Sequence, residues 1–152
     1  MNAERETTVI AFENVTKRFN GSVAVDHLSF TVARGEVLAL LGRTGAGKST
    51  VMNLLMGAIA PDEGSIRVIG VDPYVEFKRL RGKIGVAFQT DRLLPWRTAE
   101  ENVALGLIIL GRPKAEAHEA ARRWLARVKL ADATGKYVHE LSGGMRQRAA
   151  LA

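Results

Sequence analysis

The sequence predicts an α/β fold with antiparallel strands at one edge and an inserted helical subdomain. Residues 8–17 and 22–33 alternate apolar and polar side chains around Asn20-Gly21, a strong short-range signal for a hairpin. The apolar run 37–41 leads into a glycine-rich loop and then a helical pattern, which predicts a strand–loop–helix unit. From about residue 92 onward the apolar spacing is helical.

The elements between these landmarks follow from local composition. The helix after the glycine-rich loop is predicted to run to about residue 60. A turn at 61–64 and a short strand over 65–71 follow, and an irregular or helical link then leads to a strand-like run at 84–88. The first seven residues are expected to be a frayed end.

Two further helices are predicted in the second half. Thr98 and Glu101 form a T-x-x-E capping box that begins the first helix. Arg112-Pro113 separates it from a second helix, which is expected over 114–129. The expected apolar positions are Val103, Leu107 and Leu110 in the first helix, and Ala117, Ala121, Trp124 and Val128 in the second.

Composition narrows the function classes. A chain of 152 residues can bury the core of one domain, and the absence of cysteine excludes disulfides and thiol-bound metal within it. The net charge of +6 comes from scattered basic residues, which favours a solvated surface; a nucleic-acid surface or a contact with anionic lipid stays an alternative. The longest apolar stretch, 103–110, is too short to cross a bilayer, and residues 1–6 lack the apolar region of a signal peptide.

A phosphate-binding loop is predicted at residues 42–49, which read G-x-x-x-x-G-K-S. Backbone N–H groups of such a loop point inward around a phosphate chain. Lys48 supplies positive charge for the β- and γ-phosphates, and the Ser49 hydroxyl is expected to ligate Mg²⁺. The residues assigned to nucleotide binding here are Gly42, Arg43, Thr44, Gly45, Ala46, Gly47, Lys48, Ser49 and Thr50.

A second motif, Leu-Ser-Gly-Gly-Met-Arg-Gln-Arg, occupies residues 141–148. Ser142 is a favoured N-cap, and a helix-compatible pattern follows it. A helix N-terminus with two glycines and a hydroxyl group can bind an anion. A helix cap that binds nothing is the alternative for Ser-Gly-Gly taken alone.

With these two motifs the chain resembles the ATP-binding cassette (ABC) ATPase family over its whole length. The resemblance implies a P-loop NTPase core with an antiparallel β part over 1–89 and a helical subdomain over 90–152, together a partial ABC ATPase domain. It also implies a dimer, in which ATP lies between the P-loop of one protomer and the signature motif of the other. The signature residues assigned to the γ-phosphate held by the other protomer are Leu141, Ser142, Gly143, Gly144 and Gln147.

Three more residues take roles from the resemblance. Phe19 stands where the family stacks an aromatic ring, more usually a tyrosine, on adenine; packing in the core is the alternative. Ala24 would lie beside the same base. Gln89 matches the glutamine that reaches Mg²⁺ or the attacking water, and with Lys48 it is assigned to catalysis.

The phrase Leu-Leu-Pro-Trp-Arg-Thr at 93–98, followed by Glu-Asn-Val at 101–103, resembles a subgroup that serves nitrate, sulfonate and taurine importers. Leu94 and Trp96 would then line a groove for a short helix of a membrane permease; a local hydrophobic cluster is the alternative. The partners implied are this permease, a second ATPase subunit that forms a homodimer, and indirectly a solute-binding protein. The protein would sit peripherally at the cytoplasmic face of the membrane.

The family's acidic magnesium ligand, its general-base glutamate and its distal histidine all lie beyond the signature, and residues 1–152 contain no match to them. The chain is therefore expected to be a fragment of an ATP hydrolase that binds nucleotide weakly and hydrolyses almost nothing alone. Two other functions stay open. One is a non-transport ABC ATPase that acts on the ribosome or DNA, and the other is an inactive product.

Overall fold

The computed structural model describes residues 8–152, so the expected frayed end at 1–7 lies outside the described residues. The chain divides into two compact units, Met1–Arg81 and Gly82–Ala152. The division falls earlier than the one expected after residue 89.

The first unit contains a three-stranded antiparallel sheet. Its strands are β1 (Thr8–Phe19), β2 (Ser22–Ala33) and β3 (Glu63–Val68), and their order across the sheet is β2-β1-β3. Asn20 and Gly21 both have positive φ, 48° and 81°, as a two-residue hairpin turn of type I′ requires. The hairpin predicted from these two residues is therefore confirmed.

β3 ends at Val68 rather than at residue 71. Ile69 and Gly70 have φ values of 49° and 76°, so the backbone reverses there. Val71 then returns to exchange two backbone hydrogen bonds with Val68, of 2.8 and 3.1 Å. The apolar pattern continues through a tight turn, and pattern alone could not show where the ladder stops.

The helix after the glycine-rich loop, α1 (Lys48–Leu55), contacts β2 and β3 and buries Val51 and Leu54. Phe12 and Phe30 stack on the sheet with ring centroids 4.6 Å apart. The buried apolar residues of this unit are Phe12, Val15, Val25, Val32, Val51, Leu54, Ile66, Val68, Val71 and Leu80.

α1 ends at Leu55, earlier than the predicted end near residue 60. Gly57 has φ of 68° and its N–H bonds to Leu54 O, while the N–H of Ala58 bonds to Asn53 O. These two bonds form a Schellman motif, which stops a helix at a glycine. A Cβ at Gly57 would lie 2.0 Å from Pro73 O, so the close approach also requires glycine.

Two predicted strands, 37–41 and 84–88, are not strands in the structure. Val37 and Leu41 are 94% and 91% exposed. An apolar run supplies strand propensity, but the ladder hydrogen bonds must come from a neighbouring strand. Within residues 8–152 neither run has such a neighbour.

The second unit contains three helices, α2 (Ala99–Ile109), α3 (Lys114–Arg127) and α4 (Gly143–Leu151). Short 3₁₀ turns lie at Ala131–Ala133 and Val138–Glu140, and a similar turn, Phe77–Leu80, lies in the first unit. All three helices begin where the sequence predicted. Their buried side chains form two apolar clusters, Ala99, Leu125, Leu130, Ala133, Leu141 and Ala149 in one and Ala104, Ala117 and Ala121 in the other.

Of the four residues predicted for the apolar face of α3, Ala117 and Ala121 are buried and Val128 packs against an apolar cluster, but Trp124 is wrong. Leu125 is fully buried, whereas Trp124 is 46% exposed and lies under the Arg127 guanidinium at 4.6 Å. Ala117, Ala121 and Leu125 recur every four residues, so they form the stripe that packs. Leu110, also predicted as an apolar position of the preceding helix, directly follows α2 and is likewise exposed.

The predicted capping box of α2 is confirmed. The Thr98 N–H donates to Glu101 Oε2 at 2.8 Å, and the Glu101 N–H donates to Thr98 Oγ1 at 3.2 Å. Thr98→Ala removes one half of this exchange, and we expect it to lower the free energy of unfolding by about 1 kcal/mol. Denaturant unfolding checks this value. Thr90→Ala is the control, because Thr90 is exposed and caps no helix; equal losses in both variants would contradict the role of the cap.

The same box makes stability depend on pH. The backbone N–H of Thr98 holds the pKa of the Glu101 carboxyl below its ordinary value. Because the folded pKa is the lower one, this stabilisation is present at neutral pH and is lost as the pH falls below about 4.5. We expect the melting temperature of Glu101→Gln to depend less on pH in this range than that of the wild type. Identical pH profiles would show that the Glu101 carboxylate does not contribute to the pH dependence of stability.

Candidate nucleotide-binding site

The loop before α1 is shaped by two glycines. Gly45 and Gly47 have φ values of 85° and 80°, in the left-handed region that side chains disfavour. The Ala46 N–H bonds to Arg43 O at 3.1 Å and closes a turn within the loop. The backbone thus adopts a shape that depends on glycine at these two positions.

Lys48 folds back onto this loop. Its Nζ donates to Gly42 O at 2.6 Å and to Arg43 O at 2.8 Å, so the ammonium group lies against the loop backbone. Lys48 is also the first residue of α1, where the leading N–H groups have no intrahelical acceptor. Since the first turn of α1 contains no acidic residue, the ammonium and the helix dipole together favour an anion.

The loop is anchored to β2 by a backbone contact. A Cβ added to Gly47 would lie 2.3 Å from the carbonyl oxygen of Ala24. Ala24, predicted to lie beside the base, therefore has its carbonyl against the loop, and its side chain is half-buried. This contact joins residues distant in sequence, and no local pattern signals it.

Phe19 lies at the end of β1 and is 46% exposed. Its ring is 5.6 Å from Lys17 Nζ, a cation–π distance. The alternative role, packing in the core, does not match this exposure. Stacking of Phe19 on a base stays a prediction.

The first turn of α1 also contains the hydroxyl predicted to bind the metal. Ser49 is exposed and Thr50 is half-buried. No group of three or more His, Cys, Asp or Glu side chains that could hold a metal ion occurs among residues 8–152. Ligation of Mg²⁺ by the Ser49 hydroxyl and by Gln89 stays a prediction.

The three histidines each contact a neighbouring side chain. His27 contacts Asp26, and His118 contacts Glu100 at 2.9 Å. His139 stacks on Tyr137 with centroids 5.9 Å apart. Each is engaged with a neighbour on its own surface.

The second motif begins α4 in the second unit. Ser142 is the N-cap residue, and its Oγ accepts a hydrogen bond from Met145 N at 3.3 Å. Leu141 is buried, which fixes the approach to the helix, while Gly143, Gly144 and Gln147 are exposed. The predicted helix start is confirmed, and the first two residues of the helix, Gly143 and Gly144, are exposed.

Gln89 is exposed and opens an irregular segment that leads to α2. The backbone of this segment is held by Asn102, a residue the sequence did not single out. Leu94 N donates to Asn102 Oδ1 at 2.7 Å, and Asn102 Nδ2 donates to Thr98 O at 2.9 Å. The sequence signal for this role was an asparagine one turn into a helix that follows a proline-containing loop, a position from which its side chain can bond to the loop backbone.

The second unit also contains a groove with a volume of about 510 Å³. Leu93 and Leu94 line it, whereas Trp96 is 69% exposed outside it. Side chains from α2 and α4 complete its largely apolar wall, including Val103, Leu105, Ala149 and Leu151. The alternative given for Leu94 and Trp96, a local hydrophobic cluster, does not match the exposure of Trp96.

A family model described as "ABC transporter" matches residues 25–152, which include both motifs. The chain belongs to the ABC transporter family. Its α/β fold class, with antiparallel strands and helices, is confirmed by this match and by the solved structures that resemble it.

Three relatives illustrate the similarity. The methionine import ATP-binding protein MetN of Rhizobium etli is 43% identical over 148 residues, which are 95% of this chain and 41% of that protein. The putrescine transport ATP-binding protein PotG of Escherichia coli is 39% identical over 151 residues, 96% of this chain and 38% of that protein. The dimeric post-hydrolysis structure of an ATP-binding cassette bound to ADP and Pi aligns with a TM-score of 0.80 and 29% identity, covering 93% of this chain and 67% of that one.

The chain spans about two fifths of the length of these curated relatives. The family match concerns the ABC domain, and what the longer proteins do applies to this chain only as a proposal. Among residues 8–152, none of the helices combines the length and the apolar composition that a bilayer crossing requires.

Proposed function

We propose that the chain is the ATP-binding part of an ABC importer and binds Mg-ATP at residues 42–50. The observation that carries this proposal is the loop geometry. Gly45 and Gly47 have left-handed backbone conformations, and the Lys48 ammonium lies against the loop at the start of α1. Backbone N–H groups, a helix N-terminus and one ammonium together fit a phosphate chain. Phe19, exposed on the same unit, would stack on the adenine.

The proposed ATPase works as a pair of subunits, most simply two copies of one protein. The exposed N-terminus of α4, with Ser142 and Gly144, would meet the γ-phosphate bound to the other copy. The relative solved as a dimer with ADP and Pi supports this arrangement. ATP would then favour the closed pair because only that state offers donors from both motifs.

In hydrolysis, Lys48 would hold the β- and γ-phosphates, and Gln89 would orient Mg²⁺ or the attacking water. The chemistry that Mg²⁺ would supply here is neutralisation of phosphate charge. Ser49 would hold this ion through its hydroxyl oxygen. Because the chain spans only about two fifths of its relatives' length, hydrolysis is proposed for the whole protein.

The membrane partner we propose is a permease that docks on the segment 93–96, with a solute-binding protein acting on that permease. Two of the relatives are named as ATP-binding proteins, one for methionine import and one for putrescine transport. The narrower resemblance to nitrate, sulfonate and taurine importers rests on residues 93–98 and Glu-Asn-Val at 101–103, and these two relatives do not support it. We therefore propose a small solute without naming it, and a peripheral position at the cytoplasmic face through the permease.

Site-specific photo-crosslinking tests the docking partner. A photoreactive phenylalanine analogue placed at Trp96, which is exposed beside the groove, should crosslink to a protein with several membrane spans in native membranes. The same analogue at Trp124, which is also exposed but lies on α3, is the matched control and should not. Crosslinks from Trp96 to ribosomal proteins or to DNA would instead favour the non-transport ABC ATPase.

A further inference from the structure

An ion pair inside the second unit joins the segment after Gln89 to the signature motif. Arg146 lies in the first turn of α4, and its Nε donates to Asp91 Oδ2 at 3.0 Å. A second nitrogen of the same guanidinium, Nη1, donates to the carbonyl oxygen of Leu141 at 2.8 Å. Leu141 immediately precedes the N-cap residue Ser142, so Arg146 holds the backbone on which the signature begins.

Asp91 also contacts its own segment. Its other oxygen, Oδ1, accepts the N–H of Leu93 at 3.4 Å. Leu93 in turn packs against the apolar cluster that contains Leu141 and Ala149. One carboxylate therefore connects the backbone of the segment 89–96 to the guanidinium that holds the signature motif.

This pair is more buried than the Arg123–Glu119 pair of the same unit. The Arg146 and Asp91 side chains are 35% and 29% exposed, whereas Arg123 and Glu119 on α3 are 64% and 65% exposed. Exposed pairs contribute little because water and salt screen them. A planar guanidinium that donates to two fixed acceptors also imposes a geometry that a lysine would not.

We propose that the Asp91–Arg146 pair is a positioning link, which sets the orientation of the signature N-terminus according to the position of the segment 89–96. This deepens the proposed function and rests on it. Two nitrogens of the guanidinium are already bonded to protein oxygens, so Arg146 acts through Leu141 and Ser142 rather than on the phosphate. A permease that shifts the segment 89–96 would thereby move the Ser142 cap.

The experiment uses the full-length protein and four variants: Asp91→Asn, Arg146→Gln, the double variant, and Arg123→Gln as control. Mg-ATP affinity of the separate subunits is measured by calorimetry, and nucleotide-driven pairing by sedimentation. We expect unchanged ATP affinity in all variants, because the loop 42–50 is untouched. We expect pairing to weaken about fivefold to tenfold in Asp91→Asn and in Arg146→Gln, with no further loss in the double variant.

Hydrogen exchange at the amides of 142–146, measured without nucleotide, separates this inference from the proposed function. Faster exchange in Asp91→Asn and Arg146→Gln, and not in Arg123→Gln, would support the link even if the wild type failed to pair. Unchanged exchange in both would overturn it. A loss of pairing in Arg146→Gln without any loss in Asp91→Asn would also overturn it, because the guanidinium would then act on its own.

Discussion

Lys48→Ala is expected to weaken Mg-ATP binding by about 100-fold or more, since charge-assisted bonds to phosphate contribute roughly 1.5–3 kcal/mol each. The structure adds a second reason for a large effect. Lys48 Nζ bonds to Gly42 O and Arg43 O, so its ammonium also stabilises the loop conformation. The variant therefore loses both the charge that meets the phosphates and two contacts that shape the loop.

Calorimetric titration of the full-length protein with Mg-ATP measures this effect. Lys78→Ala is the matched control, because Lys78 is exposed on the same unit and lies outside the loop. It should bind Mg-ATP like the wild type. Equal affinity in Lys48→Ala and in the wild type would show that this loop does not bind Mg-ATP.

Gly47→Ala is expected to lower the free energy of unfolding by about 3 kcal/mol or more and to abolish nucleotide binding. Two costs add at this position. The φ of 80° strains any residue with a side chain, and the new Cβ would lie 2.3 Å from Ala24 O. The obstacle is a backbone carbonyl near the start of β2, so it cannot rotate away as a flexible side chain would.

Gly21→Ala separates the two costs. Gly21 has φ of 81°, nearly equal to that of Gly47, but a Cβ there would meet nothing within 4 Å. Gly21→Ala should therefore lower the free energy of unfolding by only about 1 kcal/mol, the cost of holding alanine in the left-handed region. Denaturant unfolding of both variants gives the difference. A Gly47→Ala loss no greater than that of Gly21→Ala would show that the loop is not anchored on β2.

The features that sequence predicted best are local ones. Asn20-Gly21, the Thr98–Glu101 box and the Ser142 cap each place a donor or acceptor within three residues of its partner. Such geometry depends on little beyond the segment itself. The glycine-rich loop belongs to the same class, because its shape follows from Gly45 and Gly47.

The features that sequence could not supply depend on distant partners. The runs 37–41 and 84–88 have strand propensity, yet a strand needs a neighbour that no local pattern identifies. The contact of Gly47 with Ala24 and the pairing of Asp91 with Arg146, 55 residues apart, also arise only in the folded chain. On α3 the choice between Trp124 and Leu125 depended on which side α2 packs.

The central claim is that ATP joins the loop 42–50 of one copy to the signature of another, and mixing two defective variants tests it most directly. Lys48→Ala disables the loop, and Gly144→Asp places a carboxylate at the exposed start of α4, where a Cβ has room. In a head-to-tail pair made of one of each, one site is doubly defective and the other is intact. Sedimentation with Mg-ATP should show pairing in the mixture and in neither variant alone. A mixture that pairs no better than its components, beside a wild type that does pair, would contradict the shared site.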